Sequence, residues 1–322
     1  MNHIKILDIF YGNKCNLACK NCDTRSDVLR TTQFDPQLDV IKESIVLANK
    51  HFNVENWSVL GGEPLLYKEK ITEIISFLRT IEPNKTIFLS TNGILLGKNI
   101  DFVVDLIKKY RIWVQVCNHT AEFKNPKIIQ DYVEEIGRKA DLPKIEPAYL
   151  WWYNIMQFDK GTPEWQNYVK RKGIDITTRD PNDITYMIKN YGIHYIESRQ
   201  FQTIHNMING KPMPFNDDPQ EAYMNSCPSQ FCAFLYNKKI YKCAALGTLR
   251  NFLEKYNMSD ELEWQKYLNY KPVNLETCTS QDINYFSKTH YCGVEECSMC
   301  PGKFKGIMKN EINVLPVHLE DR

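Results

Sequence analysis

The sequence predicts an α/β protein in which a parallel sheet built from six βα units precedes a smaller, cysteine-rich α+β domain. Three observations support this fold class. From residue 1 to about residue 202, short β-rich runs alternate with amphipathic helical patterns, which is the order of elements in a parallel sheet. Polar motifs follow directly after the first four predicted strands. Seven of the 11 cysteines lie between residues 227 and 300, beyond that alternation.

The composition limits the class of protein. A chain of 322 residues is long enough for one large α/β domain and a smaller one. With 40 Lys and Arg against 39 Asp and Glu, the net charge of +1 provides no general attraction to nucleic acid or to an anionic membrane. The N-terminus lacks the features of a signal peptide, and we expect a cytoplasmic protein. In that reducing compartment, cysteines at short spacings indicate metal binding rather than disulfides.

The first four βα units follow one another without interruption. Strands are predicted at residues 4–10, 57–60, 86–90 and 112–116. The first helix is expected to begin at Asp35-Pro36, where a capping residue precedes a proline, and the fourth begins at Asn125-Pro126. The predicted apolar helix faces are Leu38, Ile41, Ile45 and Ala48; Ile71, Ile74, Ile75 and Leu78; Phe102, Val103, Leu106 and Ile107; and Ile129, Tyr132, Val133 and Ile136.

The last units of the sheet are less regular. Residues 145–153 read as a fifth strand, rich in aromatic residues, and residues 174–178 as a sixth, with a helix from Thr162-Pro163 to Gly173 between them. Residues 193–201 form a final extended segment. The proline-rich and glycine-containing stretch 209–219 is typical of a linker. We therefore place a domain boundary near His205, which gives domains of residues 1–205 and 206–322.

Three cysteines follow the first predicted strand in a C-x3-C-x2-C spacing: Cys15, Cys19 and Cys22. Structural zinc sites and complete iron-sulfur clusters use four protein ligands, so three thiolates in one loop indicate a metal site with one open position. The alternatives are a chance grouping of loop cysteines, or three ligands of a zinc site whose fourth ligand lies elsewhere.

Three further motifs also come directly after predicted strands. Gly61-Gly62-Glu63-Pro64 follows the second strand, Ser90-Thr91-Asn92-Gly93 ends the third, and Cys117-Asn118-His119 ends the fourth. The carboxyl ends of parallel strands meet at one edge of the sheet, so we expect these motifs and the cysteine loop to lie close together. Each glycine-containing motif standing alone would also be an ordinary turn.

The cysteine spacing together with Gly61-Gly62-Glu63-Pro64 resembles the radical S-adenosylmethionine (SAM) superfamily over roughly the first 200 residues. One departure is Asn21, where the family usually has an aromatic residue. The resemblance implies a partial (β/α)6 barrel. It also implies that Cys15, Cys19 and Cys22 bind a 4Fe-4S cluster whose fourth iron is chelated by the amino and carboxylate groups of SAM.

The same resemblance assigns roles to the motifs at the strand ends. Gly61 and Gly62 would let backbone approach SAM, and Glu63 would supply a charge for its ammonium group. Ser90, Thr91 and Asn92, and likewise Asn118, are candidates for hydrogen bonds to the cofactor, although the Ser90-Thr91-Asn92-Gly93 stretch is equally suited to a turn. Cys117 is a candidate hydrogen-atom donor, whereas such a cysteine is more often a small buried hydrophobe.

The C-terminal cysteines indicate a second metal site. Residues 234–242 read as a hairpin that brings Cys243 beside an earlier cysteine, and Cys297 and Cys300 form a C-x2-C pair. This arrangement resembles the auxiliary-cluster domains called twitch or SPASM, although the complete SPASM pattern is absent, and it predicts one auxiliary 4Fe-4S cluster. The expected ligands are Cys227, Cys243, Cys297 and Cys300, with Cys232 and Cys292 as substitutes. A four-cysteine zinc site is the alternative.

The resemblance implies a radical SAM oxidoreductase or epimerase that abstracts hydrogen from a carbohydrate or another small metabolite and takes electrons from a donor such as flavodoxin or ferredoxin. A peptide-modifying maturase is the alternative within the superfamily. Cys15 leaves little room for a leader-binding domain ahead of the sheet, which favours a small metabolite over a peptide. A non-catalytic iron-sulfur or zinc protein is the alternative of another class.

Overall fold

A computed structural model describes residues 2–20, 22–31, 35–118, 126–142, 192–197, 204–227, 229–230, 232–303 and 312–313. The strands are β1 (Asn2–Phe10), β2 (Ala18–Cys19), β3 (Phe52–Leu60), β4 (Thr86–Thr91), β5 (Trp113–Asn118), β6 (Gly192–Glu197), β7 (Asn206–Ile208), β8 (Lys211–Met213), β9 (Cys232–Tyr236), β10 (Lys239–Tyr241), β11 (Val273–Asn274) and β12 (Ile312–Asn313).

The α-helices are α1 (Ser26–Leu29), α2 (Leu38–His51), α3 (Lys68–Ile81), α4 (Ile100–Tyr110), α5 (Pro126–Lys139), α6 (Pro219–Glu221), α7 (Ala244–Gly247), α8 (Leu249–Lys255), α9 (Leu262–Leu268) and α10 (Ser280–Thr289). Within the described ranges, three short 3-10 helices span Pro64–Leu66, Leu96–Lys98 and Glu295–Met299, and a π-helical turn spans Ala222–Ser226. Among the described residues, no helix is long and apolar enough to cross a membrane.

The main element is an eight-stranded sheet with the order β11-β10-β9-β1-β3-β4-β5-β6. Its centre is parallel, since β1 pairs with β3, β3 with β4, β4 with β5 and β5 with β6 in the same direction. This confirms the predicted α/β class. In the part of the chain that the structure describes, the sheet remains open rather than closing into a barrel.

Strand β3 begins five residues earlier than the sequence predicts. Polar Asn53, Glu55 and Asn56 interrupt the apolar pattern there, whereas parallel pairing with β1 continues back to Phe52, which lies opposite Asn2. Phe52 and Val54 are buried on the helix-covered face of the sheet. Pairing with a neighbouring strand therefore extends β3 beyond its own hydrophobic run.

The predicted C-terminal hairpin forms and joins the same sheet. Strands β9 and β10 are antiparallel around Asn237 and Lys238, which both have positive φ angles (47° and 58°), as a type I′ turn requires. Strand β9 then pairs in parallel with β1, with Ile6 opposite Cys232. The cysteine-rich segment thus extends the sheet at its β1 edge instead of building a sheet of its own, and the domain boundary near His205 stays a prediction.

Helices α2, α3, α4 and α5 cover one face of the sheet, with the predicted apolar residues facing it. The start of α2 differs from the prediction, because the helix begins at Leu38 after the cap residue Gln37. Asp35 does not cap it. Its carboxylate instead accepts hydrogen bonds from the Asn13 backbone N–H (2.9 Å) and the Tyr67 hydroxyl (2.6 Å). Asp35 therefore ties the start of α2 to the cysteine loop.

The stretch predicted to be a linker is partly ordered into a hairpin. Strands β7 and β8 pair through a turn at Asn209 and Gly210, both with positive φ. Beyond the hairpin, the Asp217 backbone N–H donates to the Ser298 carbonyl, and the Asp217 side chain accepts from the Gly302 N–H at 2.7 Å. Contacts with the last cysteine segment thus fix a region whose composition resembles an open linker.

Some predictions fall outside the described residues. They include the strands at 145–153 and 174–178, the helix between them, and His119. The final extended segment is confirmed as β6 up to residue 197, where it pairs with β5.

Candidate active site

The three loop cysteines lie together at the carboxyl end of β1. Cys15, Cys19 and Cys22 pack with Leu17 and Ile94 in one small cluster. All 11 cysteines of the chain are free, so these thiols are available as ligands. The Leu17 backbone N–H donates to Cys15 Sγ at 3.4 Å, the kind of contact that stabilises a thiolate.

Burial controls the ionisation of these thiols. It raises the pKa of Cys15 to about 12, and it raises the pKa of Cys19 and Cys22. A negative charge on Cys22 raises the pKa of Cys15 and Cys19 further. Cys19 is buried, and Cys15 and Cys22 are partly buried beside it. Three thiolates in this cluster therefore need a cation to balance their charge, and metal binding releases their protons. The all-sulfur donor set and the desolvated position fit a 4Fe-4S cluster.

The described residues contain no group of three His, Cys, Asp or Glu side chains placed to hold a single metal ion. An iron-sulfur cluster sets a different requirement, because each thiolate binds its own iron rather than sharing one ion.

The Gly61-Gly62-Glu63-Pro64 loop packs directly against the cysteine loop. The Gly62 N–H donates to the Gly12 carbonyl and the Glu63 N–H to the Lys14 carbonyl, both at 2.9 Å. A Cβ atom on Gly62 would collide with the Lys14 carbonyl, and one on Gly61 would lie 2.8 Å from the Tyr11 ring. The two glycines thus let the two loops approach each other. Their predicted backbone approach to SAM stays a prediction.

Gly62→Ala is expected to push the two loops apart and lower the iron content of the reconstituted protein, at a cost of about 1–3 kcal/mol from overpacking. The matched control is Gly137→Ala within α5, where an added Cβ meets nothing within 4 Å. That change should preserve iron and stabilise the helix by up to about 1 kcal/mol. Iron assay and thermal unfolding measure both effects, and equal behaviour of the two variants would contradict the packing role.

Glu63 connects three loops through its buried carboxylate. It accepts hydrogen bonds from the Thr91 hydroxyl (2.6 Å), the Asn92 N–H (2.9 Å) and the Leu65 N–H (3.1 Å). Burial raises the pKa of Glu63 to about 7, against these three donors, which lower it. A carboxylate has about four acceptor positions. Glu63 therefore retains capacity for one more donor, and its predicted contact with an ammonium group stays a prediction.

Thr91 and Asn92 form hydrogen bonds with other residues of the chain. Besides donating to Glu63, the Thr91 hydroxyl accepts from the Gly93 N–H at 3.2 Å. The Asn92 amide donates to Asn16 Oδ1 at 2.7 Å and accepts from the Ile94 N–H at 3.0 Å. These contacts, with Gly93 at φ 81°, form the turn that the sequence allows. Ser90, one residue earlier, is partly exposed, and its hydrogen bond to SAM stays a prediction.

Cys117 and Asn118 belong to β5 itself, which runs two residues further than predicted because β6 pairs with it up to Asn118. Cys117 is 6% exposed and accepts a hydrogen bond from Gln115 at 3.0 Å. Burial raises the pKa of Cys117 to about 11, so the thiol keeps its hydrogen at neutral pH. This protonation state suits both a buried apolar cysteine and a hydrogen-atom donor, and it leaves both roles of Cys117 open.

The sequence reading missed several polar residues at this site. Both side-chain polar atoms of Asn13 and the amide nitrogen of Asn16 are buried without a partner in the described part of the chain. Such atoms fit a bound polar group. In the sequence, Asn13 lies just before the cysteine spacing and Asn16 lies within it, and this position could have identified both as site residues.

Asp8 lies opposite Ser58 across β1 and β3, on the sheet face away from helices α2 to α5. Burial raises the pKa of Asp8 to about 7; a hydrogen bond with Ser58 lowers it and the nearby Asp23 raises it. Burial raises the pKa of Asp23 to about 6, while Arg25 lowers it. Strand β1 thus carries a buried acidic group that the sequence analysis did not identify as a site residue.

The four cysteines predicted as auxiliary ligands come together. Negative charge on Cys243 and Cys297 raises the pKa of Cys227, and charge on Cys243, Cys227 and Cys297 raises that of Cys300, in both cases after the larger effect of burial. Cys243 and Cys300 also pack against one hydrophobic cluster. Cluster binding by these residues stays a prediction.

The two substitute cysteines lie differently. Cys232 sits in β9 opposite Ile6, and the charges that act on its thiol come first from Asp8 and then from Cys227. Cys292 donates to the Thr289 carbonyl at 3.5 Å and is close enough to Cys297 to raise its pKa. Cys232 thus lies near Asp8, on the face of the sheet away from helices α2 to α5. Cys292 lies at the edge of the group formed by the four predicted auxiliary ligands.

Lys242, next to Cys243, holds the last cysteine segment in place. Lys242 is 5% exposed, and its ammonium group donates to the carbonyls of Thr289 (2.9 Å), His290 (2.6 Å) and Cys292 (2.7 Å). These contacts join strand β10 to the chain that leads to Cys297. Lys242 therefore fixes the distance between Cys243 and the C-x2-C pair.

Lys242→Met should leave three buried carbonyls without a donor and destabilise the protein by roughly 2–4 kcal/mol. It should also lower the iron bound at the C-terminal cysteines. Lys239→Met provides the control, since Lys239 is an exposed residue of β10, the strand that Lys242 directly follows. Urea unfolding and iron assay compare the two; a Lys242 variant as stable and as iron-rich as the control would contradict this role.

Comparison with known proteins relates part of this chain to a protein family. Residues 9–145 match the Radical SAM superfamily. GTP 3′,8-cyclase of Aquifex aeolicus is 32% identical over 130 residues, which cover 39% of this chain and 39% of that protein. 7-Carboxy-7-deazaguanine synthase of Methanothermobacter thermautotrophicus is 31% identical over 111 residues, covering 34% and 41%. Molybdenum cofactor biosynthesis protein 1 of Bos taurus is 33% identical over 98 residues, covering 30% and 15%.

The chain thus matches at most 41% of the length of these three relatives. The matched segment contains the end of β1, the cysteine loop, the Gly61-Gly62-Glu63-Pro64 loop and β4. SAM and a 4Fe-4S cluster are the cofactors of this superfamily. Binding of the cluster by Cys15, Cys19 and Cys22 stays a prediction, which their all-sulfur donor set supports. The chain therefore carries a radical SAM domain, which spans residues 9–145.

Proposed function

We propose that this protein is a radical SAM enzyme that abstracts hydrogen from a carbon atom of a small polar metabolite, such as a carbohydrate, leading to oxidation or epimerisation. The observation that carries the proposal is the packing of the loop with the three clustered thiols against the Gly61-Gly62-Glu63-Pro64 loop at the carboxyl ends of the parallel strands. When bound, the cluster and SAM supply, after one-electron reduction, a 5′-deoxyadenosyl radical that takes a hydrogen atom from the substrate.

The residues of the chain hold and orient these groups. Cys15, Cys19 and Cys22 would bind three irons and leave the fourth for SAM. Glu63 has one acceptor position left for an ammonium group, and its other three positions accept from the Thr91 hydroxyl and from the Asn92 and Leu65 N–H groups. The unpartnered amide of Asn13 provides a further buried donor and acceptor beside the cysteines. These contacts within the protein orient the Glu63 carboxylate.

The substrate would lie against the face of the sheet that is away from helices α2 to α5. Asp8, Ser58 and Asp23 place hydrogen-bond acceptors there, and two neighbouring carboxyl groups favour a substrate with hydroxyl or amine donors. When ionised, these carboxyl groups disfavour a triphosphate, because its negative charge would oppose theirs. The names of the relatives nevertheless make a guanine nucleotide the second candidate substrate.

We also propose one auxiliary 4Fe-4S cluster held by Cys227, Cys243, Cys297 and Cys300, which would accept an electron or hold the substrate. The support is the mutual proximity of these thiols and their fixed position behind Lys242. A reductant such as flavodoxin or ferredoxin would reduce the catalytic cluster.

A test of the substrate class uses anaerobically reconstituted, reduced protein with ring-deuterated carbohydrates, deuterated GTP and a deuterated peptide mixture. Mass spectrometry of the 5′-deoxyadenosine product reports which compound donated hydrogen. We expect deuterium from a carbohydrate and none from the other two. Transfer from GTP alone would support the nucleotide instead, and transfer from the peptide mixture alone would make the enzyme a maturase.

A further inference from the structure

Arg25 is a buried arginine three residues after Cys22. It is 1% exposed and has a left-handed backbone conformation, with φ 56°. Its guanidinium carbon lies 3.8 Å from the centroid of the Phe252 ring, a cation–π contact. Nη1 lies 3.4 Å from Nδ1 of His205, whose pKa burial and Arg25 lower to about 3, so that the neutral ring can accept from it. Two elements distant in sequence thus fix the orientation of this side chain.

The rest of the guanidinium has no partner. Nε and Nη2 are buried, and in the described part of the chain neither meets a hydrogen-bond acceptor. A charged group that is removed from water and left with unused donors is strongly destabilising. Arginine persists in such a position when a ligand or a bound group supplies the missing acceptors.

The surroundings of Arg25 contain cysteines of both sets. Phe252, on which the guanidinium lies, belongs to the hydrophobic cluster against which Cys243 and Cys300 pack. The negative charges that act on Arg25 are, after Asp27, those of Cys300, Cys243 and Cys22. Arg25 therefore lies between the catalytic cysteine loop and the C-terminal cysteine group, with Asp23, Asp27 and cysteines of both groups as its charged neighbours.

We propose that Arg25 donates hydrogen bonds from Nε and Nη2 to sulfur atoms of the auxiliary cluster and raises the reduction potential of that cluster. This inference rests on the auxiliary cluster proposed above. Reduction adds negative charge, so a buried cation with hydrogen bonds to sulfur stabilises the reduced form. Arg25 is a positioning and potential-setting residue, one that acts on the cluster and makes no contact with the reacting carbon.

The experiment isolates the auxiliary cluster by replacing Cys15, Cys19 and Cys22 with alanine. In this background, redox titration followed by electron paramagnetic resonance gives the midpoint potential of the remaining cluster. Arg25→Gln removes the charge, and Arg25→Lys keeps the charge but loses the planar fork. Arg250→Gln is the matched control, because Arg250 is an exposed residue of the helix that carries Phe252.

We expect Arg25→Gln to lower the one-electron reduction equilibrium constant at least tenfold, which corresponds to a decrease of about 59 mV. Arg25→Lys should give a smaller decrease, and Arg250→Gln should leave the potential unchanged. A purely structural role for Arg25 would change unfolding without this graded change in potential.

Each failure has a distinct signature. If the triple-alanine background binds zinc and no iron, the auxiliary cluster itself is wrong and the inference falls with it. If iron is present and both Arg25 variants have the potential of the control, the cluster stands and the inference is overturned. If Arg25→Gln cannot hold iron, Arg25→Lys decides: a lowered potential supports the role and an unchanged one overturns it.

Discussion

Replacing Cys19 with alanine should abolish the cleavage of SAM to 5′-deoxyadenosine. Cys19 is the most deeply buried of the three loop thiols, 7% exposed and packed on Leu17, and no other described cysteine lies in this small cluster to replace it. A cluster with two protein ligands on this loop would lose iron, and SAM would have no iron to chelate. Chromatographic detection of 5′-deoxyadenosine after anaerobic reconstitution and reduction measures the loss.

Cys278→Ala is the matched control for this change. Cys278 packs on the main core beside β11, outside both groups of cysteines, so its removal should preserve cleavage. Full cleavage activity of the Cys19 variant, or equal loss of activity in both variants, would refute the assignment of the loop cysteines.

Glu63→Ala should retain the cluster and weaken SAM binding. Removing a charge-assisted hydrogen bond to an ammonium group costs about 1.5–3 kcal/mol, or roughly a 10-fold to 150-fold increase in Kd. The same change leaves the Thr91 hydroxyl and the Asn92 N–H without their acceptor. Equilibrium binding of SAM to the reconstituted variant, with iron assayed in parallel, measures the effect.

Two further measurements separate charge from loop structure. Thr91→Val removes one donor to Glu63 and keeps the carboxylate, so SAM affinity should change little. Because the pKa of Glu63 is raised to about 7, the free carboxyl gains a proton below this pH and must release it to bind a cation. The affinity of the unmodified protein for SAM should therefore fall as pH decreases through 7, whereas Glu63→Gln should show no such dependence. Normal SAM affinity in Glu63→Ala would mean that the Gly61-Gly62-Glu63-Pro64 loop is only a turn and does not bind SAM.

Local patterns in the sequence predict the parallel sheet well. The alternation of apolar runs and helical faces gives β1, β4 and the helices that cover them, because both periodicities are set by residues close together in the chain. The C-x3-C-x2-C spacing is equally local. The loop after β1 brings these thiols together without help from distant residues.

Long-range contacts explain what the sequence does not show. The pairing of β9 with β1 joins residues more than 200 positions apart, and a strand's own sequence carries no signal for its partner. Asp35 has the sequence context of a helix cap, yet contacts with Asn13 and Tyr67 determine its role. Arg25 likewise depends on Phe252 and His205, which reach it only in the folded chain.

The most direct test of the account is the metal content of the variant in which alanine replaces Cys15, Cys19 and Cys22. After anaerobic reconstitution, the unmodified protein should contain about eight irons per chain and the variant about four, the latter held by Cys227, Cys243, Cys297 and Cys300. Zinc without iron in the variant, or an iron content equal to that of the unmodified protein, would contradict the assignment of two separate clusters.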